Sequence, residues 1–462
     1  MTERLVCDAA VIDDVDVLVC GGGPAGIAAA VSAARSGAKT MIVEQHGCLG
    51  GVATNGLIGT WFGGYSRDGR FPVVAGVYAE IVDALVARGA ALPPTHDTEG
   101  GGASSGYAPW HRGTVPFEFE PAKLLFDRMM HEAGVRVRLF TTVMMPHVVD
   151  ARVAGVFVHS KSGVEFVRAR VVVDATGDAD VVFRAGCPML IGLEEEGHRG
   201  WMSPGALSFI VEGVDADAFG AYCRAGDFRF RSLITDLRAR GEWPYESPIF
   251  IAFELPDRRR FYVKVSPTTH AQGFDGTSAD VLTWGMSEGR RIVDEHMAIL
   301  RRHFPGFAAA RLTQTAPAFG VRSTRRIVGE YQVTVDDVRS GRRFDDTVAL
   351  TGYHWDMATP DSPEQRMLHK VEIALPYAEI PYRCIVPRGV DNVLAPGRAI
   401  SAEWDVLGPF RIMPAAFAMG EAAGVAASLA AGSGTAVRDV DIARLRDTLR
   451  ERGAIVGIAT TR

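Results

Sequence analysis

The chain has 462 residues, a formal net charge of −6, and 47% hydrophobic, 23% charged and 9% aromatic residues. That usage is ordinary for a globular protein of roughly two to three domains, and it excludes a disordered chain, a collagen-like fibre and the basic footprint of a nucleic-acid binder. Six scattered cysteines (Cys7, Cys20, Cys48, Cys187, Cys223, Cys384) include no C-x-x-C pair. Neither a disulfide framework nor a metal site is therefore expected.

The opening residues, MTERLVCDAAVIDD, carry acids early and lack an apolar core, which argues against a signal peptide. Asp16 to Cys20 reads as a buried parallel strand. Gly21-Gly22-Gly23-Pro24-Ala25-Gly26 follows, then an alanine-rich helix to about Ser36 that Gly37 stops. Lys39 to Val43 is a second strand, ending at Glu44, which completes a βαβ unit. Val77 to Arg88 and Pro121 to Ala133 read as helices. The segment from Leu92 to Pro116 reads as a long loop.

Val135 to Leu139, Val153 to His159 and Val171 to Ala175 read as strands, with Val164 to Ala169 alternating weakly. From Pro188 to Ala316 strand-like runs (Ala206 to Glu212, Ile249 to Glu254, Phe261 to Ser266) mix with helical ones, as in a separate α+β domain. Val393 to Pro396 is a short strand before Gly397-Arg398. A long helix is expected from Pro414 to Ala431, and an amphipathic one from Asp439 to Arg452. The apolar run Ile412 to Ala431 reaches membrane-spanning length but carries Glu421, so a buried helix is expected. No membrane partner and no nucleic acid partner is expected, and a cytoplasmic location is.

Gly21, Gly23 and Gly26 form G-x-G-x-x-G between a strand and a helix. The first glycine allows the tight turn, the second admits a pyrophosphate, and the third lets the helix pack on the strand. Glu44, at the end of the next strand, suits a ribose diol. A second glycine turn at Gly50-Gly51 suits a cofactor longer than NAD.

The stretches CGGGPAGIAAAVSAARSGAKTMIVEQHGCLGGVAT, VVVDATGDADVVFRAGCP, GVRSTRRIVGEYQVTVDDV, IPYRCIVPRGVDNVLAPGRAIS and GPFRIMPAAFAMGEAAGVAA resemble FAD-dependent oxidoreductases of the glutathione-reductase-type superfamily. More narrowly, they resemble the family related to fumarate reductase flavoproteins. The resemblance implies an α/β fold: a Rossmann-like, discontinuous FAD-binding domain (1–187 and 385–462) with an inserted α+β substrate or cap domain (188–384). It implies that Gly21, Gly23, Pro24, Ala25, Gly26, Glu44 and Gln45 hold the ADP half of FAD. Gly50, Gly51 and Thr54 would lie beside the flavin half, and Ala175, Thr176 and Gly177 near the adenosine. Gly397 and Arg398 would approach the diphosphate and ribityl chain. A helix starting near Ile412, Met413 and Pro414 would point its positive end at the flavin.

For catalysis the resemblance is less complete. The related family reads Y-P-I-D-I-H where this chain reads Tyr353-His354-Trp355-Asp356-Met357-Ala358. Asp356 is kept, Ala358 stands at the histidine position, and His354 stands where proline is usual. His354 is then the candidate base, since imidazole suits proton abstraction near neutral pH, with a satisfied loop histidine as the alternative. Arg322 and Arg411 are candidates for holding an acidic substrate, Arg325 and Arg326 less so; the alternative is structural pairing with Glu330, Asp336 or Asp337. Tyr382, Glu403 and Trp404 are further candidates at the flavin edge. Cys48 is expected to be a buried small hydrophobe.

No second G-x-G-x-x-G follows Glu44 in strand and helix context, which argues against a separate NAD(P)H domain. The expected reaction is dehydrogenation or oxidation of a small polar or carboxylated metabolite, with oxygen, a quinone or a protein as acceptor. A flavin-dependent monooxygenase or reductase using transiently bound NAD(P)H is the alternative. A homodimer is the expected assembly.

Overall fold

Val17 to Cys20 are apolar and fully buried, the pattern of a strand covered on both faces. They end strand β1 (Ala10–Cys20) at the centre of a seven-stranded sheet. The computed structural model describes residues 3, 6–94, 112–360, 362–366 and 373–458. The other strands of this sheet are β2 (Thr40–Val43), β3 (Arg136–Arg138), β4 (Thr142–Val149), β5 (Arg152–Ser160), β6 (Gly163–Asp174) and β7 (Val393–Leu394). The order is β3-β2-β1-β6-β5-β4, with β7 also on β6. β3, β2, β1, β6 and β7 run parallel; β5 and β4 add an antiparallel wing.

One edge of β6 serves two partners. Its first half pairs with β5, and Val172 and Val173 pair with β7. Asn392 sits at the fork, fully buried. Its Nδ2 donates to the Val153 and Arg170 carbonyls at 2.8 Å each, and its Oδ1 accepts from Val153 N at 2.8 Å. Those backbone groups would otherwise be buried without partners where the strands diverge.

Helices α1 (Pro24–Arg35) and α2 (Met413–Ser433) pack on each other and on this sheet. Among the described residues α2 is the one helix long and apolar enough to cross a membrane, and most of it is buried within the fold. The inserted region carries a four-stranded antiparallel sheet, in the order Ala252–Glu254, Arg260–Val265, Leu207–Glu212, Arg311–Thr315, with the helix Ala279–His303 against it. Thr347–Thr351 and Ala378–Pro381 form a pair of strands, and Thr347–Thr351 leans on α2.

Several strands escape the sequence pattern, two of them for want of a buried run. Thr142–Val149 is mostly exposed and Arg311–Thr315 is polar and exposed, so neither shows a buried run. Val164 to Ala175, read as two runs, is nearly all one strand, β6. Residues 95–111 of the expected loop lie outside the described residues, and its end, Val115–Pro116, pairs with Thr60–Trp61. All six cysteines are free, and no metal-ligand cluster occurs among the described residues.

Candidate functional site

Crowding and backbone angle fix glycine at the first turn. Gly21 has φ +103°, and a Cβ there would lie 2.7 Å from the Ala175 carbonyl carbon and 2.9 Å from Thr176 N. A Cβ at Gly26 would lie 3.0 Å from the Gly21 carbonyl carbon, and one at Gly51 2.9 Å from Gly23 Cα. Gly23 is the opposite case: among the described residues nothing lies within 4 Å of its open side. That space adjoins the start of α1, where Pro24 opens the helix, no side chain caps it and no acid stands in its first turn. First-turn N–H groups have no acceptor within the helix and sit at its positive end. Gly397, with φ +96°, brings its segment within 3.3 Å of Ala25, measured from where its own Cβ would be. Space, free donors and positive potential together fit a pyrophosphate.

The remaining cofactor candidates surround this cradle. Glu44 is buried and takes two backbone donors: Gly22 N on Oε2 at 2.6 Å and His46 N on Oε1 at 2.8 Å. Each oxygen keeps a second lone pair for a ribose hydroxyl. Gln45, next in the chain, is exposed. Gly50 N donates to Gly22 O at 2.8 Å, tying the second glycine turn to the first. Thr54 is buried, and its hydroxyl donates to Leu49 O at 2.7 Å, so it holds the turn. Thr176 turns toward Asp174 at 2.7 Å; burial pushes the Asp174 carboxyl up to about 6, against the donors of Val182 and Thr176. Arg398 pairs with Asp178 at 2.8 Å, and its Nη2 lies 2.9 Å from where a Gly177 Cβ would be.

A second cluster lies at the start of α2. Ile412 precedes the helix without a side-chain cap, Met413 begins it and Pro414 lies in its first turn. Gly63 has φ +79°, and its open side faces Ile412 and, at 2.7 Å, the Tyr353 Cβ. The 61–64 turn, the 352–356 loop and α2 therefore meet there. Arg411 donates to Arg322 O at 3.2 Å and Asp356 O at 3.0 Å, and lies 3.5 Å from the Asp356 carboxylate. Its Nε and Asp356 Oδ1 are buried without partners among the described residues. Burial lowers the Arg411 guanidinium to about 10, Asp356 opposing and Arg322 assisting.

The 352–356 loop is also held from its other side, where Arg67 Nε donates to Tyr353 O at 3.2 Å. Both Arg67 Nη atoms are buried without partners among the described residues, and burial lowers this group too, to about 10. His354 lies in the same loop, 6.1 Å from the Tyr353 ring. The inserted sheet reaches this point through aromatic rings: Tyr262 on Phe253 (4.5 Å), Phe253 on Phe62 (5.7 Å) and Phe62 on Tyr353 (5.9 Å). Lys264 Nζ stands 5.2 Å over Phe253.

Thus Arg411 meets Arg322 and Asp356 at the loop that also carries His354, while Arg67 and Lys264 were not foreseen. The one available signal was a lysine inside FYVKV in a chain with only five lysines. Two candidates fall elsewhere. Tyr382 is buried and donates to Val437 O at 2.7 Å, which makes it structural. Glu403 Oε2 accepts from Val335 N at 2.7 Å, at the start of the Val335–Ser340 helix.

Trp404 donates to Ala358 O at 3.0 Å from a buried position. Arg325 and Arg326 are structural, but not through Glu330, Asp336 or Asp337: Arg325 pairs with Asp180 at 2.9 Å and Arg326 with Glu195 at 2.6 Å. The cause is register, since Arg325–Ile327 pairs with Met189–Leu193. Cys48 is half-buried rather than buried, with its thiol 3.3 Å from Asn55 Oδ1.

The family profile described as FAD dependent oxidoreductase matches residues 16–449. A thiamine thiazole synthase of Aeropyrum pernix is 35% identical over 182 residues, 37% of this chain and 57% of that protein. The mitochondrial dihydrolipoyl dehydrogenase 2 of Arabidopsis thaliana is 51% identical over 43 residues, 9% of this chain and 8% of that protein. The chain thus spans less than two thirds of the length of these curated relatives. A geranylgeranyl bacteriochlorophyll reductase-like protein of Thermoplasma acidophilum superposes with a TM-score of 0.46 at 13% identity, over 95% of this chain and 84% of that one. With a profile match over most of its length and a Rossmann-like cradle, the chain belongs to the FAD dependent oxidoreductase family and is an enzyme whose cofactor is FAD.

Proposed function

We propose that the protein is a dehydrogenase or oxidase that removes two electrons from a small, carboxylated metabolite. Within the superfamily we place it nearest the glutathione-reductase-type and fumarate-reductase-related flavoproteins, on the strength of the Gly21–Gly26 turn, Glu44 and Gly397-Arg398. The region 188–384 acts as the cap, and the substrate binds between it and the start of α2.

FAD, when bound, supplies a two-electron acceptor. The segments Gly21–Gly26, Gly50-Gly51 and Gly397-Arg398 hold it, and Glu44 takes its ribose. The uncapped start of α2, at Ile412 and Met413, presents N–H groups where negative charge is best stabilised. Arg322 and Arg411 bind the substrate carboxylate, Arg411 being oriented by Asp356. The imidazole of His354 accepts the proton that leaves the substrate heteroatom. The observation that carries this reading is the charge imbalance: Arg322 has no acid partner among the described residues, and Arg411 has Asp356 alone, at 3.5 Å.

The test is the visible spectrum of the FAD-loaded protein under anaerobic conditions. Hydroxy and amino acids are expected to bleach it, whereas NADH and NADPH leave it unchanged. Rapid bleaching by a nicotinamide would support a monooxygenase or reductase instead. His354→Ala is expected to slow bleaching by about a hundredfold or more; unchanged kinetics would remove the imidazole from the mechanism. The same reading makes the enzyme cytoplasmic, with oxygen, a quinone or a protein as the final acceptor.

A further inference from the structure

Lys264 is the cation that the inserted sheet adds to this charged cluster. It lies on Arg260–Val265, directly across from Ser208. Cross-strand neighbours share a face, and so do positions two apart, so Lys264 lies on one face with Tyr262, Ser208 and Phe253. Its ammonium rests over the Phe253 ring and has no carboxylate or hydrogen-bond acceptor among the described residues. The Ser208 hydroxyl is likewise buried without a partner. A half-buried ammonium with only a ring for company is poorly satisfied. The charges near it are Arg322 and Arg411 against one carboxylate, Asp356. Three cations and one anion leave two positive charges uncompensated.

We propose that Lys264 is a substrate-binding residue, closing from the inserted sheet on the same small carboxylate that Arg322 and Arg411 hold from the other side, and that its protonation admits the anion. The proposal rests on the reading of the site as one for an acidic substrate. It adds a residue, an opposing wall and a pH limit to that reading. Burial and the Arg322 charge lower the ammonium to about 8, with Asp356 opposing and Arg411 adding to the decrease. Lys264 is thus charged below that pH and neutral above it. The Tyr353 phenol is pushed up by burial and stays neutral in this range. A bound carboxylate stabilises the ammonium, so anion binding and proton uptake are linked.

The experiment is calorimetric titration of oxalate into the FAD-loaded protein at pH 7 and pH 9.5. Wild type is expected to lose about tenfold or more in affinity between the two. Lys264→Met is expected to bind oxalate weakly at both. Lys264→Arg keeps a charge that does not titrate, and is expected to bind at both with little change. Wild-type affinity in Lys264→Met, or the full wild-type loss persisting in Lys264→Arg, overturns the proposal. Arg322→Gln separates the two layers: if it abolishes binding while Lys264→Met does not, the acidic-substrate reading stands and the lysine proposal falls. No oxalate binding to wild type at pH 7 overturns both. Retained flavin absorbance and an unchanged melting temperature check that each variant is folded.

Discussion

Gly420 of α2 rests directly on Ala25 of α1: a Cβ at position 420 would lie 2.8 Å from the Ala25 Cα. One turn on, Gly424 meets Ala29 in the same way, at 2.9 Å from its Cα. Two small-residue ridges let the helices touch backbone to backbone. The contact matters because the two uncapped helix starts proposed to face the cofactor belong to these helices.

Replacing Gly420 with Val forces α2 away from α1. Overpacking of this kind costs about 1–3 kcal/mol, and both helix starts shift with it. The variant should melt earlier and retain less FAD after gel filtration. A melting temperature and flavin content equal to wild type would show that the helices separate without consequence.

Gly23 and Gly51 should behave differently although both are turn glycines. Gly23 has φ −73° and open space where a side chain would go. Gly23→Ala should therefore melt like wild type without FAD, yet bind FAD about tenfold or more weakly, because the methyl group enters the pyrophosphate space. Gly51→Ala meets Gly23 and should already lose stability in the apoprotein. Melts with and without FAD and a fluorescence titration separate the two effects.

Glu421 interrupts the apolar face of α2 for a local reason. Its Oε2 accepts from Val77 N at 3.0 Å, capping the Val77–Val86 helix. Burial pushes its carboxyl up to about 7, against the Val77 donor and Arg452. A folded value above the unfolded one means that the folded state binds the proton more tightly. The contribution is fully present at low pH, below the unfolded pKa, and is lost as pH rises through about 7. Glu421→Gln keeps an acceptor and removes the titration. Its stability curve should be flatter between pH 5 and 8, by on the order of 2 kcal/mol. Thermal melts across that range decide it, and an unaltered slope would contradict the assignment.

Tyr382→Phe tests the structural reading of that residue. Removing the hydroxyl leaves the Val437 carbonyl without its 2.7 Å donor, at a cost of roughly 1–2 kcal/mol. FAD affinity and the rate of bleaching by substrate should not change. A slower rate at equal flavin content would return Tyr382 to the active site.

The cofactor cradle was legible because its demands are local. A strand, a turn with positive φ at Gly21 and an open position at Gly23 all fall within a few consecutive residues, and only glycine meets them. The substrate side was half legible. Arg411 adjoins a helix start that the sequence marks with Pro414, whereas Lys264 reaches the pocket only through a sheet and a relay of aromatic rings. Nothing near Lys264 in sequence announces that journey. The partners of Arg325 and Arg326 were illegible for the same reason: strand register selected Asp180 and Glu195 over acids closer in the chain. Tyr382 and Glu403 looked catalytic by neighbourhood, but their polar atoms complete backbone groups that no sequence window contains.

The fork held by Asn392 also says something about how the chain reaches this state. Asn392 lies 239 residues after Val153, whose backbone it completes. Until it docks, the Val172–Val173 stretch of β6 has no neighbour on that edge, and an open strand edge is a template for pairing with another molecule. Such distant closure is slow, because the entropy of a long loop is lost before the contact is gained. The short strand that follows Asn392 is therefore a late seal. During folding it separates the finished fold from chains able to join edge to edge, and weakening it would appear first as aggregation on refolding.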